Sequence, residues 1–178
     1  MRTFSHVVIT VAAGNYAGFG RGPLLAFAAG SALPDVPLLI LTGLSMLTSP
    51  SWAVGMERMH RAYALSPFWI GAHNAPHSLV VLGAVALLTF LIGRGTWKQC
   101  LLWAVVGATG HSVIDIFTHA GDGPMFLYPA TGLRFDSPVS YWDPTHFGRT
   151  FAIFEYALDA VLALYLLAVY FRRKRLRR

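Results

Sequence analysis

Four apolar runs, at residues 23–47, 78–93, 97–118 and 151–171, approach or reach the roughly 20 residues that a helix needs to cross a bilayer. A backbone in hydrocarbon must satisfy its own hydrogen bonds, which leaves only helices or a closed barrel. Barrel strands would alternate apolar and polar at every second residue, and these runs do not. The chain therefore reads as all-α, a polytopic membrane helical bundle. Its charge content agrees: 12% of the 178 residues are charged, against about 25% in a soluble domain.

A weaker stretch at 4–20 carries Val7, Val8, Ile9 and Val11 after Arg2. No clear cleavage site follows, so it reads as a marginal first span rather than a signal peptide. That makes about five transmembrane helices in a single domain over 1–171. The remainder, 172–178, is a basic cytoplasmic tail. The net charge is +6, but six of the fourteen basic residues sit in that tail. This is a stop-transfer anchor, and no nucleic-acid surface is expected.

The second span contains Leu33-Pro34-Asp35-Val36-Pro37. Two prolines remove backbone donors and should kink or break the helix. Interrupted membrane helices line protein-enclosed cavities. Asp35 either faces such a cavity or caps the second half-helix; the cost of a mid-membrane carboxylate favours the first.

Residues 48–72 form an interfacial segment. Trp52, Met56, Met59 and Tyr63 repeat at helical spacing, with Glu57, Arg58, His60 and Arg61 between them. The third span should open at His73-Asn74-Ala75-Pro76-His77-Ser78, with Pro76 in the first turn and Asn74 as its cap. His73 would then lie just outside the helix and His77 just inside. Residues 119–150 are rich in Gly, Pro and aromatic residues, as expected of an outer lid or re-entrant loop at the interface.

With the tail inside and five spans, nine basic residues (Arg21, Arg94, Lys98 and six in the tail) fall on the cytoplasmic side and five outside. The N-terminus is then outside. His6, His73, His77, His111, Asp115, His119 and Glu155 all arrive near the outer ends of their spans, with Asp35 facing them. His111, Asp115 and His119 are successively four residues apart and share one broad helix face. Such groups are costly in a membrane unless they are paired, hydrated or bound to a cation.

Imidazoles and carboxylates are ligands for zinc and related divalent ions. The chain has one cysteine, Cys100, and no thiolate set. A mixed His/Asp group suits an open, catalytic site, with zinc first and manganese or iron as alternatives. His146 stands in the loop and is as much a surface residue as a site residue.

An early His6, Leu33-Pro34-Asp35, His73-x3-His77-Ser78, Gly110-His111-Ser112-x2-Asp115 and Tyr128-Pro129 occur in this order. The chain thereby resembles a family of bacterial inner-membrane proteins called membrane-bound metal-dependent hydrolases, of the LexA-regulated type. The resemblance spans nearly the whole chain. It implies an inner-membrane location and metal-ligand roles for His6, Asp35, His73, His77, His111 and Asp115. The order of these residues is also faintly similar to that in zinc-dependent phospholipase C and related single-strand nucleases, which act on phosphodiesters.

The expected function is a membrane-embedded metal-dependent hydrolase of a phosphoester in a lipid or lipid-linked substrate. His119 or Glu155 would move protons, Arg134 and Arg149 would hold the phosphate, and the loop would cover the substrate. The alternative is a transporter or channel component that conducts protons or metal ions through the same cluster. A third reading is a non-catalytic assembly protein.

Overall fold

Helices make up nearly all the regular structure of the computed structural model, which describes residues 1–175. In chain order they are α1 (Thr3–Tyr16), α2 (Arg21–Ala32), a 3-10 turn (Leu33–Asp35), α3 (Val36–Leu47), α4 (Trp52–Leu65), α5 (Pro67–His77), α6 (Leu79–Ile92), α7 (Gly95–Thr118) and α8 (Gly148–Arg175). A short 3-10 turn, Pro144–His146, precedes α8. No strand occurs among the described residues. Of the expected tail at 172–178, Arg172–Arg175 lie in the last turn of α8, and positions 176–178 lie outside the described residues.

Burial runs opposite to that of a soluble protein. The large side chains with the least exposure are polar, including His6, His77, His111, Asn74 and Glu155. Leu39, Leu47, Ile92 and Leu164 are more than half exposed. This pattern is stable where the surroundings are hydrocarbon, because apolar side chains then lose nothing outside while polar groups find partners only inside.

Three stretches are long and apolar enough to cross a membrane: Arg21–Leu47 taken through its 3-10 turn, Gly95–Thr118 and Gly148–Arg175. The pair α5 and α6, bent by 57°, makes a fourth if counted as one span. The expected first span is a helix, α1, but with 14 residues it rises about 21 Å, short of the roughly 30 Å hydrocarbon layer. It ends early because the chain turns at Gly18, whose φ of 74° suits glycine.

At the centre, α7 packs against α2 on one side and α6 on the other, and α1 lies between α2 and α8. Small residues set the α2–α7 distance. A Cβ on Gly107 would stand 2.1 Å from the Phe27 carbonyl oxygen, and one on Gly30 would stand 1.9 Å from that of Ala104. Backbones this close gain dispersion contacts that larger side chains would prevent. Leu82, Val105 and Ala108 form the apolar core between α6 and α7.

The third span differs from expectation. Pro76 lies in the last turn of α5, not the first turn of a new helix. The cap of α6 is Ser78, whose hydroxyl accepts from the amides of Val80 and Val81. Asn74 instead donates to the Ile70 carbonyl and accepts from the Met125 amide at 2.6 Å. His73 and His77 are therefore one turn apart on the same helix, and the span begins a turn later.

The loop over 119–150 is irregular but tied down. The Ser78 hydroxyl donates to the Tyr128 carbonyl. The Leu79 amide donates to Phe126 at 2.8 Å, and Tyr141 to Thr118 at 3.0 Å. These bonds draw the loop across the ends of α5 and α7.

Candidate metal centre

Two interruptions of regular helix, together with the end of α7, bring the site together. The 3-10 turn between α2 and α3 turns Asp35 inward. Its carboxylate makes no capping bond to α3 and instead accepts from the Thr3 hydroxyl at 2.5 Å. The end of α5 presents His77 beside the bend at Ser78. The last two turns of α7 present His111 and Asp115 on one face.

The four ligand atoms all lie within 4.8 Å of one another. His77 Nε2 is 3.6 Å from Asp35 Oδ1 and 3.8 Å from Asp115 Oδ2. His111 Nε2 is 3.5 Å and 3.2 Å from the same two oxygens. An ion held by four ligands at about 2.1 Å in a tetrahedron has ligand–ligand edges of about 3.4 Å. The observed spacing brackets that value, whereas charge-assisted hydrogen bonds would close to about 2.8 Å.

The opposite ring nitrogens fix the tautomers. His77 Nδ1 donates to the His73 carbonyl and His111 Nδ1 to the Ser31 carbonyl, each at 2.7 Å. A carbonyl only accepts, so the proton sits on Nδ1 and the Nε2 lone pair faces the centre. Both Nε2 atoms are buried without a hydrogen-bond partner. A buried bare imidazole nitrogen is costly, and two of them aimed at two carboxylates form a set that a divalent cation would satisfy. The described residues thus hold a buried His/Asp cluster that could bind a metal ion.

The remaining histidines take other places. His6 Nε2 meets Asp115 Oδ1 at 2.9 Å, and the His6 ring stacks on His111 with centroids 3.8 Å apart. It supports the group from behind instead of joining the four atoms. His73 is also outside the four; its Nδ1 is buried and unpartnered. The amine of Met1 donates to Asp115 Oδ1 and to the Thr118 hydroxyl, both at 2.8 Å.

A cavity of about 260 Å³ adjoins the cluster, with Asp35, His73, Asp115, His119 and Tyr141 in its wall. His119 Nδ1 donates to the Asp115 carbonyl at 2.9 Å, which leaves its Nε2 as an acceptor. Burial lowers the affinity of His119 for a second proton. Burial first, and then the nearby carboxylates, raise the Tyr141 hydroxyl to about 12, so it stays a donor.

Glu155 does not reach the cluster. Its carboxylate accepts from the Arg2 amide at 2.7 Å and from the Arg2 guanidinium at 2.5 Å. Arg134 donates to the carbonyls of Asp122 and Gly123 and so braces the loop. Arg149 is exposed near the start of α8, and neither arginine lines the cavity. His146 is surface-bound, paired with Asp143 at 2.9 Å.

Arg2 and Thr3 do line the cavity, and both escaped the sequence reading. The hydroxyl and guanidinium just ahead of His6 were the available signal. The Ser31 carbonyl left none, since any residue supplies a backbone oxygen.

Fold and site define a class: a polytopic helical membrane protein with a buried cluster of two histidines and two aspartates. The chain belongs to the YdjM inner membrane protein family, which matches residues 1–176. It is also similar to the inner membrane protein YbcI of Escherichia coli (strain K12), at 30% identity over 106 residues. That match takes in 57% of this chain and 60% of the relative's length. No solved structure matches. Both descriptions support the inner membrane, and neither names an activity.

Proposed function

We propose that the chain is a membrane-embedded, metal-dependent hydrolase acting on a phosphoester of a lipid or lipid-linked molecule. The observation that carries this reading is the pair of bare Nε2 atoms, on His77 and His111, facing Asp35 and Asp115 at metal-ligand spacing beside a cavity. Zinc suits this donor set, with manganese or iron as alternatives. Such an ion supplies hydroxide near neutral pH and polarises a phosphoryl oxygen.

The chain's own residues would divide the remaining work. His77 and His111 are held in the ligating tautomer by the His73 and Ser31 carbonyls. His119, neutral and with Nε2 as acceptor, takes a proton from water in the cavity. Tyr141 stays protonated and donates to the substrate's phosphoryl oxygen. Arg2 replaces Arg134 and Arg149 as the cation for phosphate, and Glu155 holds it in place. In this reading the cluster faces the outer side and the basic C-terminal segment the cytoplasm.

An ion pathway would need a polar route past the cluster. The packing beneath it is apolar at Leu82, Val105 and Ala108, which favours a closed site.

Elemental mass spectrometry of the protein purified in detergent tests the proposal, alongside turnover of a chromogenic phosphodiester. At least one equivalent of divalent metal is expected, lost together with turnover in His111→Ala and Asp115→Ala. Metal-free protein that takes up no ion on titration would refute it.

A further inference from the structure

The cavity beside the cluster has two unlike walls. One is the polar wall described above. The other, at its mouth, consists of Arg2 and Thr3 at the start of α1 and of Leu38 and Leu39 on α3. No residue of α3 is fully buried. Leu39 is 57% exposed, and Val36, Ile40, Leu44 and Leu47 continue an exposed apolar strip along the same helix. On a membrane-spanning segment such a strip meets hydrocarbon.

The packing explains why the mouth is there. α1 packs on α2 and α8, whereas α3 packs on α4 and α5. The Thr3 hydroxyl on Asp35 ties the start of α1 to the 3-10 turn that leads into α3. Leu39, exposed on α3, thus marks a mouth where the charged interior meets an apolar helix face.

We infer that this mouth is a lateral portal that seats a phosphate-bearing lipid: headgroup among Arg2, His119 and Tyr141, hydrocarbon chain across Leu38 and Leu39. This rests on the phosphoester reading above and adds where the chain of the substrate lies. A lipid enters without leaving the bilayer, so its chain keeps its apolar surroundings and only the headgroup moves into the polar cavity. A water-soluble phosphoester would gain nothing from Leu38 and Leu39. The guanidinium of Arg2 is oriented by Glu155 through Nη1 and is partly exposed, so its other N–H donors are placed to meet a phosphate oxygen.

The test is photolabelling of the full chain in lipid nanodiscs. Two probes carry the same diazirine acyl chain, one on phosphatidic acid and the other on neutral diacylglycerol, and adducts are mapped by mass spectrometry. The phosphate-bearing probe should label Leu38 and Leu39 in excess over the neutral probe by about fourfold or more, a ratio that one partly exposed ion pair between Arg2 and the phosphate supplies. On the lipid-facing residues Ile153 and Leu164 of α8 the two probes should label equally. Leu39→Trp, which fills the mouth without touching a ligand, should abolish the excess at Leu38. Equal labelling by both probes at Leu38 and Leu39 would overturn the portal, as would an excess unchanged in Leu39→Trp. Labelling reads out without turnover, so a metal-free protein would sink the hydrolase reading separately from this one.

Discussion

His111 Nε2 and Asp115 Oδ2 face each other at 3.2 Å, one helical turn apart on α7. The gap is longer than the usual charged hydrogen bond and short enough for two ligands of one ion, and His111 Nε2 has no hydrogen-bond partner. The pair is prepared from behind, by the Ser31 carbonyl on His111 and by His6 on Asp115. Those supports, and the positions of Arg2 and Glu155, separate roles that the order of residues had merged.

His6 orients Asp115 and is not one of the four ligand atoms. His6→Gln should therefore retain metal, with affinity lowered about 10- to 100-fold, as for other groups that support a ligand. His111→Gln should lose it. Chelator competition followed by elemental analysis measures both. Complete loss of metal in His6→Gln would make His6 a ligand.

Metal should stabilise the fold, because it satisfies two buried nitrogens. At about 100 times its dissociation constant, an ion that binds only the folded chain contributes about 2.7 kcal/mol, or roughly 5–10 °C in Tm. The shift should be absent in His77→Ala. Thermal unfolding in detergent, with and without zinc, reads it directly.

Acid should release the ion. Ligation needs neutral imidazole, whose ordinary pKa is about 6.5, so bound metal should fall as pH drops from about 7 to about 5. Dialysis at stepped pH with metal analysis follows the loss. Retention at pH of about 4 would argue against histidine ligands.

Glu155 holds Arg2 and stands apart from the four ligand atoms. Glu155→Gln should keep its metal while Tm falls, since the guanidinium loses a buried carboxylate. A variant that unfolds at the wild-type temperature but has lost turnover would return Glu155 to proton transfer.

The α2–α7 contact leaves no room for a methyl group. Gly107→Ala places a Cβ against the Phe27 carbonyl and should destabilise the chain by about 1–3 kcal/mol. A Tm equal to that of the wild type would show that the two helices can separate freely.

Much of this was legible in the chain. Apolar run length determined helices in a membrane, because hydrocarbon permits little else. The prolines around Asp35 marked the break, and the four-residue spacing put His111 and Asp115 on one face. Periodicity could not distinguish α1, whose 14 residues resemble a span in composition but stop short of one. Nor could it fix the helix end at His77: proline favours a first turn, yet Pro76 stands in the last turn of α5, and the choice fell to the Ser78 cap. Tertiary structure alone grouped the candidate ligands. All eight candidates, the seven near one membrane level and Asp35, are chemically able, but among the described residues only His77, His111, Asp35 and Asp115 bring their atoms within ligand spacing. That choice depends on backbone carbonyls and on the angle between packed helices, and neither leaves a mark in the identity of the residues.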